Sequence, residues 1–459
     1  MIVLKFGGTS VGTAESLANV KKIVENLEDE AVVVVSALGG LTDRLIATAR
    51  MAADGNEEYR SEWDAMVKRH HDIIEAVVGD AARRAMTLEA VNPILDELRR
   101  LYDGVNLIAD LPAKTLAQIV STGERMSSVI VAAMLGGASH VNSLEVVKTE
   151  KWFDKNIAAT EVTTRLLREA LSAPGLTFPV VMGGFISSDV STGEITNLGR
   201  GGSDYTAALV AAAMDADVLQ IWTDVDGFLT SDPRIVKNAR VIERMSFVES
   251  MDLCTFGAKV IYPPTIYPVF HKNIPIRILN TLHPEAPGTF ISDSQGKGAN
   301  GVAGLSVLRN EALVTLRGRM ASNPADLSTR SFNALARKGL SVHLVAGTAG
   351  INAFSFALAA ADIPSAVRLL KEEFAPELVD GQIEVIEVIE NLATLAAVGD
   401  NIKKMPTIPG LILNILANEG IEVLAYSDKA SETSLSYVIA EKDATPALKL
   451  LHRALFEMQ

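Results

Sequence analysis

The sequence predicts an α/β protein: a large domain on a mostly parallel sheet, followed by two smaller α+β units. Three observations carry this expectation. Over the first ~290 residues, short β-branched runs alternate with helical stretches, the pattern of parallel strands joined by crossovers. Around Ser292–Asn300 the chain turns polar and glycine-rich, with Ser294-Gln295-Gly296-Lys297-Gly298. Beyond that point a β-α-β-β order occurs twice, which is an internal repeat.

Taken in order, the apolar run Ile2–Phe6 is a strand that ends in Lys5-Phe6-Gly7-Gly8-Thr9-Ser10. Leu17, Val20, Val24 and Leu27 then share a helical face, so the loop opens onto a helix. Ala31–Ala37 is a second strand and runs into Leu38-Gly39-Gly40. From Thr42 to about Leu101 the chain reads as charged helix. His70-His71 inside it lacks metal-ligand spacing and reads as part of a solvated face. Further strands are expected at Phe178–Met182, Asp217–Trp222 and Pro275–Leu279, with an alanine-rich helix from Asp204 to Met214. In the tail, strands at Leu313–Leu316, Ser341–Val345 and Ala353–Leu358 surround a helix at Asp326–Lys338. The second copy comprises Thr394–Val398, Leu411–Glu419, Ile421–Ala425 and Ser434–Ile439, with a last helix near Ala444–Phe456. Gly339 and Gly420 occupy matching places, each ending a helix before a strand.

Composition narrows the function. The 459 residues are 48% hydrophobic and 21% charged, ordinary for a soluble chain of more than one domain. No run approaches the ~18 apolar residues of a membrane span. Met1 leads directly into a strand carrying Lys5, unlike a signal peptide. The single cysteine, Cys254, excludes an intrachain disulfide and fits a reducing cytoplasm. With 42 basic and 56 acidic residues the net charge is −14, which argues against general nucleic-acid or anionic-membrane binding. An acidic chain that handles a polyphosphate must concentrate its cations locally, inside glycine-rich loops.

Neither a Walker A loop nor a dinucleotide fingerprint is present; Gly199-x-Gly201 is followed by Asp204 where a fingerprint needs glycine. The candidate phosphate loops are therefore Lys5–Ser10, Ser36–Gly40 and Gly199–Ser203. Glycines let backbone N–H groups face an anion, and Lys5 adds charge. The alternative is an ordinary strand-turn-helix junction with a surface lysine. Arg200, flanked by glycines, suits a bidentate grip on a small carboxylate. Asp204, Glu124 and Arg125 fit either a helix start or a substrate contact. Thr223-Asp224-Val225-Asp226-Gly227-Phe228, with Ser231-Asp232-Pro233-Arg234, ends a strand in a carboxylate-rich loop suited to nucleotide or Mg²⁺. Lys259, behind Gly257, is a second lysine for a triphosphate.

In order, Lys5-Phe6-Gly7-Gly8-Thr9-Ser10-Val11, Val33–Ala37, Gly123–Ser127, Gly199–Tyr205, Thr223–Gly227 and Phe256–Val260 resemble the motif set of aspartate kinases. The tail resembles that family's paired ACT domains. The resemblance implies a three-layer αβα amino-acid kinase domain at 1–295 and two ferredoxin-like ACT units at 300–390 and 391–459, with or without strands exchanged between them. It implies transfer of the ATP γ-phosphoryl group to the side-chain carboxylate of L-aspartate, the first step toward lysine (through diaminopimelate), threonine and methionine. ATP with Mg²⁺ is the implied co-substrate, and no metal is assigned to a site of its own. Because the tail ends with the second ACT unit, a monofunctional cytoplasmic enzyme is expected, without the homoserine dehydrogenase half of bifunctional relatives.

Carried over by motif, Lys5, Asp204 and Lys259 are the catalytic residues. Gly8, Ser36, Thr42, Glu124, Arg200 and Ser203 would hold aspartate, with Arg200 on its α-carboxylate. Glu124 and Asp204 would pair with the ammonium or hold Lys5. Lys5, Gly7, Gly8, Thr223, Asp224, Phe228, Asp232, Arg234 and Lys259 would line the nucleotide. The acceptor carboxylate, of pKa ~3.9, needs no general base; none of the seven histidines falls in a matched motif. Phe228 stands where the family commonly has tyrosine, and Tyr262 where it has histidine. A homodimer through the ACT units is implied, with lysine or threonine as effector at Ser427, Ser431 and Ser434. Ala346-Gly347-Thr348-Ala349-Gly350 and Asn323-Pro324-Ala325-Asp326 carry fewer hydroxyls than lysine-responsive members, which leaves the effector open. The competing readings are another amino-acid kinase of the superfamily and a non-catalytic ACT-linked sensor; retention of Lys5 and Lys259 weighs against the sensor.

Overall fold

A computed structural model describes residues 1–152, 155–293, 301–319, 324–348, 353–400, 402–427 and 432–457. The expected linker at 294–298, Asn323, Ala349, Gly350 and Ser431 lie outside the described residues. The chain divides into two compact units, Met1–Phe228 with Val260–Ser294, and Leu229–Lys259 with Gln295–Gln459.

The first unit begins with β1 (Ile2–Phe6), α1 (Ala14–Glu25) and β2 (Ala31–Val35). Four helices follow: α2 (Leu41–Ala53), α3 (Tyr59–Val77), α4 (Ala81–Ile108) and α5 (Ala113–Met134). Next come β3 (Ser139–Val141), α6 (Ser143–Val146), β4 (Lys148–Trp152), β5 (Lys155–Ala158) and α7 (Thr160–Leu171). Then β6 (Val180–Gly183), β7 (Ile186–Asp189), β8 (Ile195–Asn197), α8 (Gly202–Ala213) and β9 (Val218–Thr223). The 229–259 stretch of the second unit holds β10 (Arg244–Ser246) and α9 (Phe247–Thr255). The first unit resumes with α10 (Tyr267–Phe270), β11 (Ile276–Asn280) and β12 (Thr289–Ser292).

Its main sheet runs β12-β11-β9-β1-β2-β6-β3. β1 pairs in parallel with β2 and β9, and β9 with β11, while β12 is antiparallel. Every residue of β1 and β2 is buried, which a parallel sheet achieves only when both faces are covered. That is the expected three-layer α/β arrangement. β6 starts at Val180, later than Phe178, because Pro179 has no N–H for the ladder. A second sheet, β5-β4-β7-β8, was not legible in the sequence. Its buried hydroxyls satisfy one another instead of presenting an apolar stripe: Thr149 and Ser187 lie 2.6 and 2.9 Å from the Thr196 hydroxyl. The histidine pair also divides. His71 is partly exposed, its Nε2 2.8 Å from Asn92 Oδ1, but His70 is fully buried, hydrogen-bonded through Nδ1 to the Met66 carbonyl at 2.7 Å. Adjacent helical residues point about 100° apart, so one can be buried while the next is wet.

The tail of the second unit contains β13 (Gly304–Gly318), α11 (Pro324–Ala336), β14 (Leu344–Thr348), β15 (Ala353–Ala359), α12 (Ile363–Glu373) and α13 (Ala375–Val379). β16 (Ile383–Val398), α14 (Thr407–Asn418), β17 (Val423–Ser427), β18 (Ser434–Ala440) and α15 (Glu441–His452) complete it. The repeat is therefore real, and both copies share one sheet, β14-β15-β13-β16-β18-β17. β13 and β16 are far longer than the short runs the sequence suggested. Each is interrupted midway by an asparagine of positive φ, Asn310 at 58° and Asn391 at 59°, beside shifts in register. Helices of the first copy pack around Phe354 and Phe356, those of the second around Leu435 and Tyr437. Gly339 and Gly420, at φ 66° and 69°, end α11 and α14 as expected. The 229–259 stretch is anchored within this unit. Val236 joins the second repeat's core, Thr230 Oγ1 lies 2.9 Å from His452 Nε2, and the Asp400 N–H donates to Glu249 at 2.7 Å. Among the described residues, no helix is long and apolar enough to cross a membrane.

Candidate active site

β1 pairs with β2 on one side and β9 on the other, so the loops leaving these strands diverge at one sheet edge and leave a crevice. A cavity of about 360 Å³ opens there, lined by Lys5, Gly8, Ser36, Thr42, Glu124, Ser203 and Asp204 together. All seven were singled out from the sequence. Ala37, Leu38, Gly39, Gly40, Asp43, Phe185, Gly199, Gly201 and Gly202 complete the wall.

Glycine permits the loops to touch through their backbones. A Cβ on Gly39 would lie 2.9 Å from the Gly8 carbonyl oxygen, and one on Gly184 would lie 2.6 Å from Ser203 Cα. Two helices begin at this wall, α2 behind Gly40 and α8 behind Gly201. Both caps are glycines in the left-handed region, at φ 74° and 68°, and neither helix has a side-chain cap. Two N-terminal dipole ends thus meet the cavity with backbone N–H groups uncovered by their own side chains, an arrangement that favours anions. Asp204 is not the N-cap that the sequence allowed; it is the third residue of α8, with Gly201 at the cap.

Lys5 Nζ lies 2.6 Å from Asp204 Oδ1, and both side chains are buried. Among the described residues no donor is aligned on that oxygen in hydrogen-bond geometry, so the contact is an ion pair that an incoming anion can share. Glu124 and Arg125 sit in the middle of the 22-residue α5 and not at a helix start. Gly123 lets α5 approach the loop after β2, and the Ala37 N–H donates to Glu124 Oε1 at 3.0 Å. Among the described residues Glu124 Oε2 has no hydrogen-bond partner, and burial pushes its carboxyl up to about 8. Arg125 faces away from any ligand role: it forms two hydrogen bonds to Glu97, at 2.8 and 3.0 Å. The Ser127 hydroxyl donates to the Ser36 carbonyl at 2.7 Å and steadies that loop.

Arg200 is exposed and, unlike Gly199 and Gly201, is not part of the cavity wall. The Gly7 N–H bonds the Trp222 carbonyl at 3.1 Å, which ties the loop after β1 to β9. Thr223 and exposed Asp224 follow at the end of β9. Phe228 is 1% exposed, so its ring is core and offers no open stacking face. Asp232, Arg234 and Lys259 belong to the second unit; Arg234 pairs with Asp232 at 2.7 Å, and Lys259 is exposed. Ser427 ends β17, and Ser434, which begins β18, is buried. Tyr262 packs on Gly201, where any Cβ would collide with it.

Several residues had no motif to reveal them. Asn280 donates to Asp226 at 2.6 Å, with His283 3.2 Å from the same oxygen. Phe185 holds a φ of 67°, its N–H bonded to Thr206 Oγ1 at 3.0 Å. Arg69 of α3 reaches the two glycine loops. Such side chains are brought in by tertiary packing, and only a spatial signal could have found them.

The family model described as "Amino acid kinase family" matches residues 1–280, and one described as "ACT domain" matches 395–455. The bifunctional aspartokinase/homoserine dehydrogenase of Haemophilus influenzae is 32% identical over 99% of this chain, which spans 56% of that relative's length. The lysine-sensitive aspartokinase 3 of Escherichia coli is 30% identical, covering 100% of this chain and 99% of its own. Among solved structures, E. coli aspartokinase III in complex with aspartate and ADP superposes with a TM-score of 0.85 at 29% identity, over 100% of both chains. The chain belongs to the amino acid kinase family, and within it to the aspartokinases that carry ACT domains.

Proposed function

We propose that this chain is an aspartate kinase that transfers the γ-phosphoryl group of MgATP to the side-chain carboxylate of L-aspartate. One observation carries the reading: buried Lys5, two glycine-capped helix N-termini and a buried, half-partnered Glu124 converge on one cavity. The positive elements suit the carboxylate and transferring phosphate of an amino-acid substrate, and Glu124 suits its ammonium. The E. coli relative's complex with aspartate and ADP supports the same pairing.

The acceptor is ionised at neutral pH, since a free aspartate side chain has pKa ~3.9. A carboxylate oxygen attacks the γ-phosphorus, the bond to the β,γ-bridging oxygen breaks, and ADP leaves with that electron pair. Positioning and charge stabilisation do the remaining work. Lys5 shifts from Asp204 toward the equatorial oxygens; Ser36, Thr42, Gly8 and Ser203 hold the acceptor; Arg200 takes the α-carboxylate on loading. Thr223 and Asp224 serve the nucleotide, as do Asp232, Arg234 and Lys259 by motif alone. By resemblance, the catalytic domain is assigned 1–295 and the ACT units 300–390 and 391–459, although residues 229–259 pack with the second unit; dimerisation and a lysine or threonine response are assigned to the ACT units through Ser427, Ser431 and Ser434.

Trapping the acyl phosphate with hydroxylamine tests this. Aspartate hydroxamate should form with MgATP, glutamate should give little, and Lys5→Met should lower turnover by about 10²-fold or more with an unchanged circular dichroism spectrum. Equal turnover by Lys5→Met, or preference for glutamate, would sink the assignment.

A further inference from the structure

Arg69 lies on α3, outside every motif, yet its Nη2 donates to the Gly12 carbonyl at 3.0 Å and the Gly39 carbonyl at 2.8 Å. Gly12 ends the loop after β1, and Gly39 lies in the loop after β2. These loops meet backbone to backbone: a Cβ on Gly12 would lie 3.1 Å from the Gly8 carbonyl and 3.3 Å from the Gly39 nitrogen. A single guanidinium nitrogen therefore ties together the two loops that bring Gly8, Gly39 and Gly40 to the cavity wall.

The charge on this nitrogen is unusual in its setting. Among the described residues no carboxylate pairs with Arg69. Its near neighbour is another cation, Arg44, already committed to Glu62 at 2.7 Å. Burial and Arg44 both disfavour the charge on Arg69, yet a guanidinium stays protonated. The two loop carbonyls are the groups that compensate this half-buried cation.

In a trans peptide the C=O and the following N–H point in opposite directions. With its carbonyl held toward α3, the Gly39–Gly40 peptide must turn the Gly40 N–H away from α3. Gly40 is also the glycine cap of α2, so this peptide sets where the helix N-terminus points.

We infer that Arg69 is a positioning residue for phosphoryl transfer, which clamps the two glycine loops so that the Gly40 N–H and the α2 N-terminus face the transferring phosphate. It touches neither substrate and acts through the loops alone. The inference rests on the phosphotransfer reading of the cavity.

The test compares Arg69→Ala and Arg69→Lys with wild type in the hydroxamate assay, with thermal unfolding followed alongside. Misplacing the cradle by about 1 Å should lower kcat of Arg69→Ala by about 30- to 100-fold, with the aspartate KM moved less than about threefold. Guanidinium chloride at low millimolar concentration should restore part of that kcat, and should not restore Lys5→Met. Because one nitrogen serves both carbonyls, an ammonium can replace it, so Arg69→Lys should retain most of the activity. The inference is overturned if Arg69→Ala keeps kcat within about twofold, or if its loss follows only the unfolded fraction and guanidinium restores nothing. Wild type that makes no aspartate hydroxamate overturns the phosphotransfer reading itself; active wild type beside an equally active Arg69→Ala overturns only the clamp.

Discussion

Burial takes the Glu124 side chain far from its free state. Its carboxyl is buried 3% exposed, with one oxygen on the Ala37 N–H and the other unpartnered. Desolvation raises it from 4.5 to about 8. Between those values the folded protein holds a proton that the unfolded chain releases, so stability falls as pH rises across that window. Glu124→Gln keeps the shape and removes the titration. Its Tm should therefore gain on wild type progressively from about pH 5 to about pH 8. A parallel pair of Tm curves would contradict the buried titration. In function, kcat/KM for aspartate should climb toward about pH 8 as Glu124 ionises for the ammonium. The glutamine variant should lose that climb together with most of its aspartate affinity. The glutamate was legible in the sequence as a motif residue, but its place in mid-helix was not. Nothing local in Ser121–Ser127 distinguishes a buried helix interior from a helix start, because Ser121, Thr122 and Ser127 are buried polar residues.

The loops and helix starts that form the cradle differ in how they use glycine. Gly39 is required by space: its Cβ would stand 2.9 Å from the Gly8 carbonyl oxygen, a backbone atom that can move only if the loops part. Gly40 is required by conformation, with φ 74° and nothing within 4 Å of an added Cβ. Gly40→Ala should thus cost about 1–2 kcal/mol of stability and leave substantial turnover. Gly39→Ala should lower kcat by about tenfold or more, since it spreads the two loops. Kinetics and denaturant melts of the two variants separate the cases, and the reverse ranking would contradict this account of the cradle. The glycine loops themselves stood out in the sequence, as did β1, β2, β9, β11 and α8, because buried β-branched runs and alanine-rich helix are strong local signals. The polar sheet of β4, β5, β7 and β8 was missed because its buried hydroxyls pair with one another. Arg69 was missed because a charged helix gives no hint of which arginine turns inward. The burial of Phe228 was not legible, since an aromatic residue after an Asp-Gly turn carries no sign of its burial.

At the scale of the molecule, the division of the chain crosses the order of the motifs. Residues 229–259, which hold Asp232, Arg234 and Lys259, fold with the ACT repeats through Val236, Thr230 and Glu249. Sequence periodicity could expose the repeat but not this insertion, because the anchoring contacts join residues as distant as Thr230 and His452. The effector side is less determined by motif than the catalytic side, given how few hydroxyls follow the first repeat's strand. Titrating activity with lysine, threonine and methionine should reveal inhibition by lysine or threonine; a flat response to all three would remove feedback control while leaving the kinase intact. The central claim concerns the cavity itself. It is tested most directly by hydroxamate formation with MgATP and aspartate against glutamate, in wild type and Lys5→Met. The account predicts aspartate hydroxamate from wild type, little product from glutamate, and a loss of about 10²-fold or more in the folded lysine variant. A wild type that prefers glutamate, or a Lys5→Met enzyme that turns over aspartate as well as wild type, would contradict it.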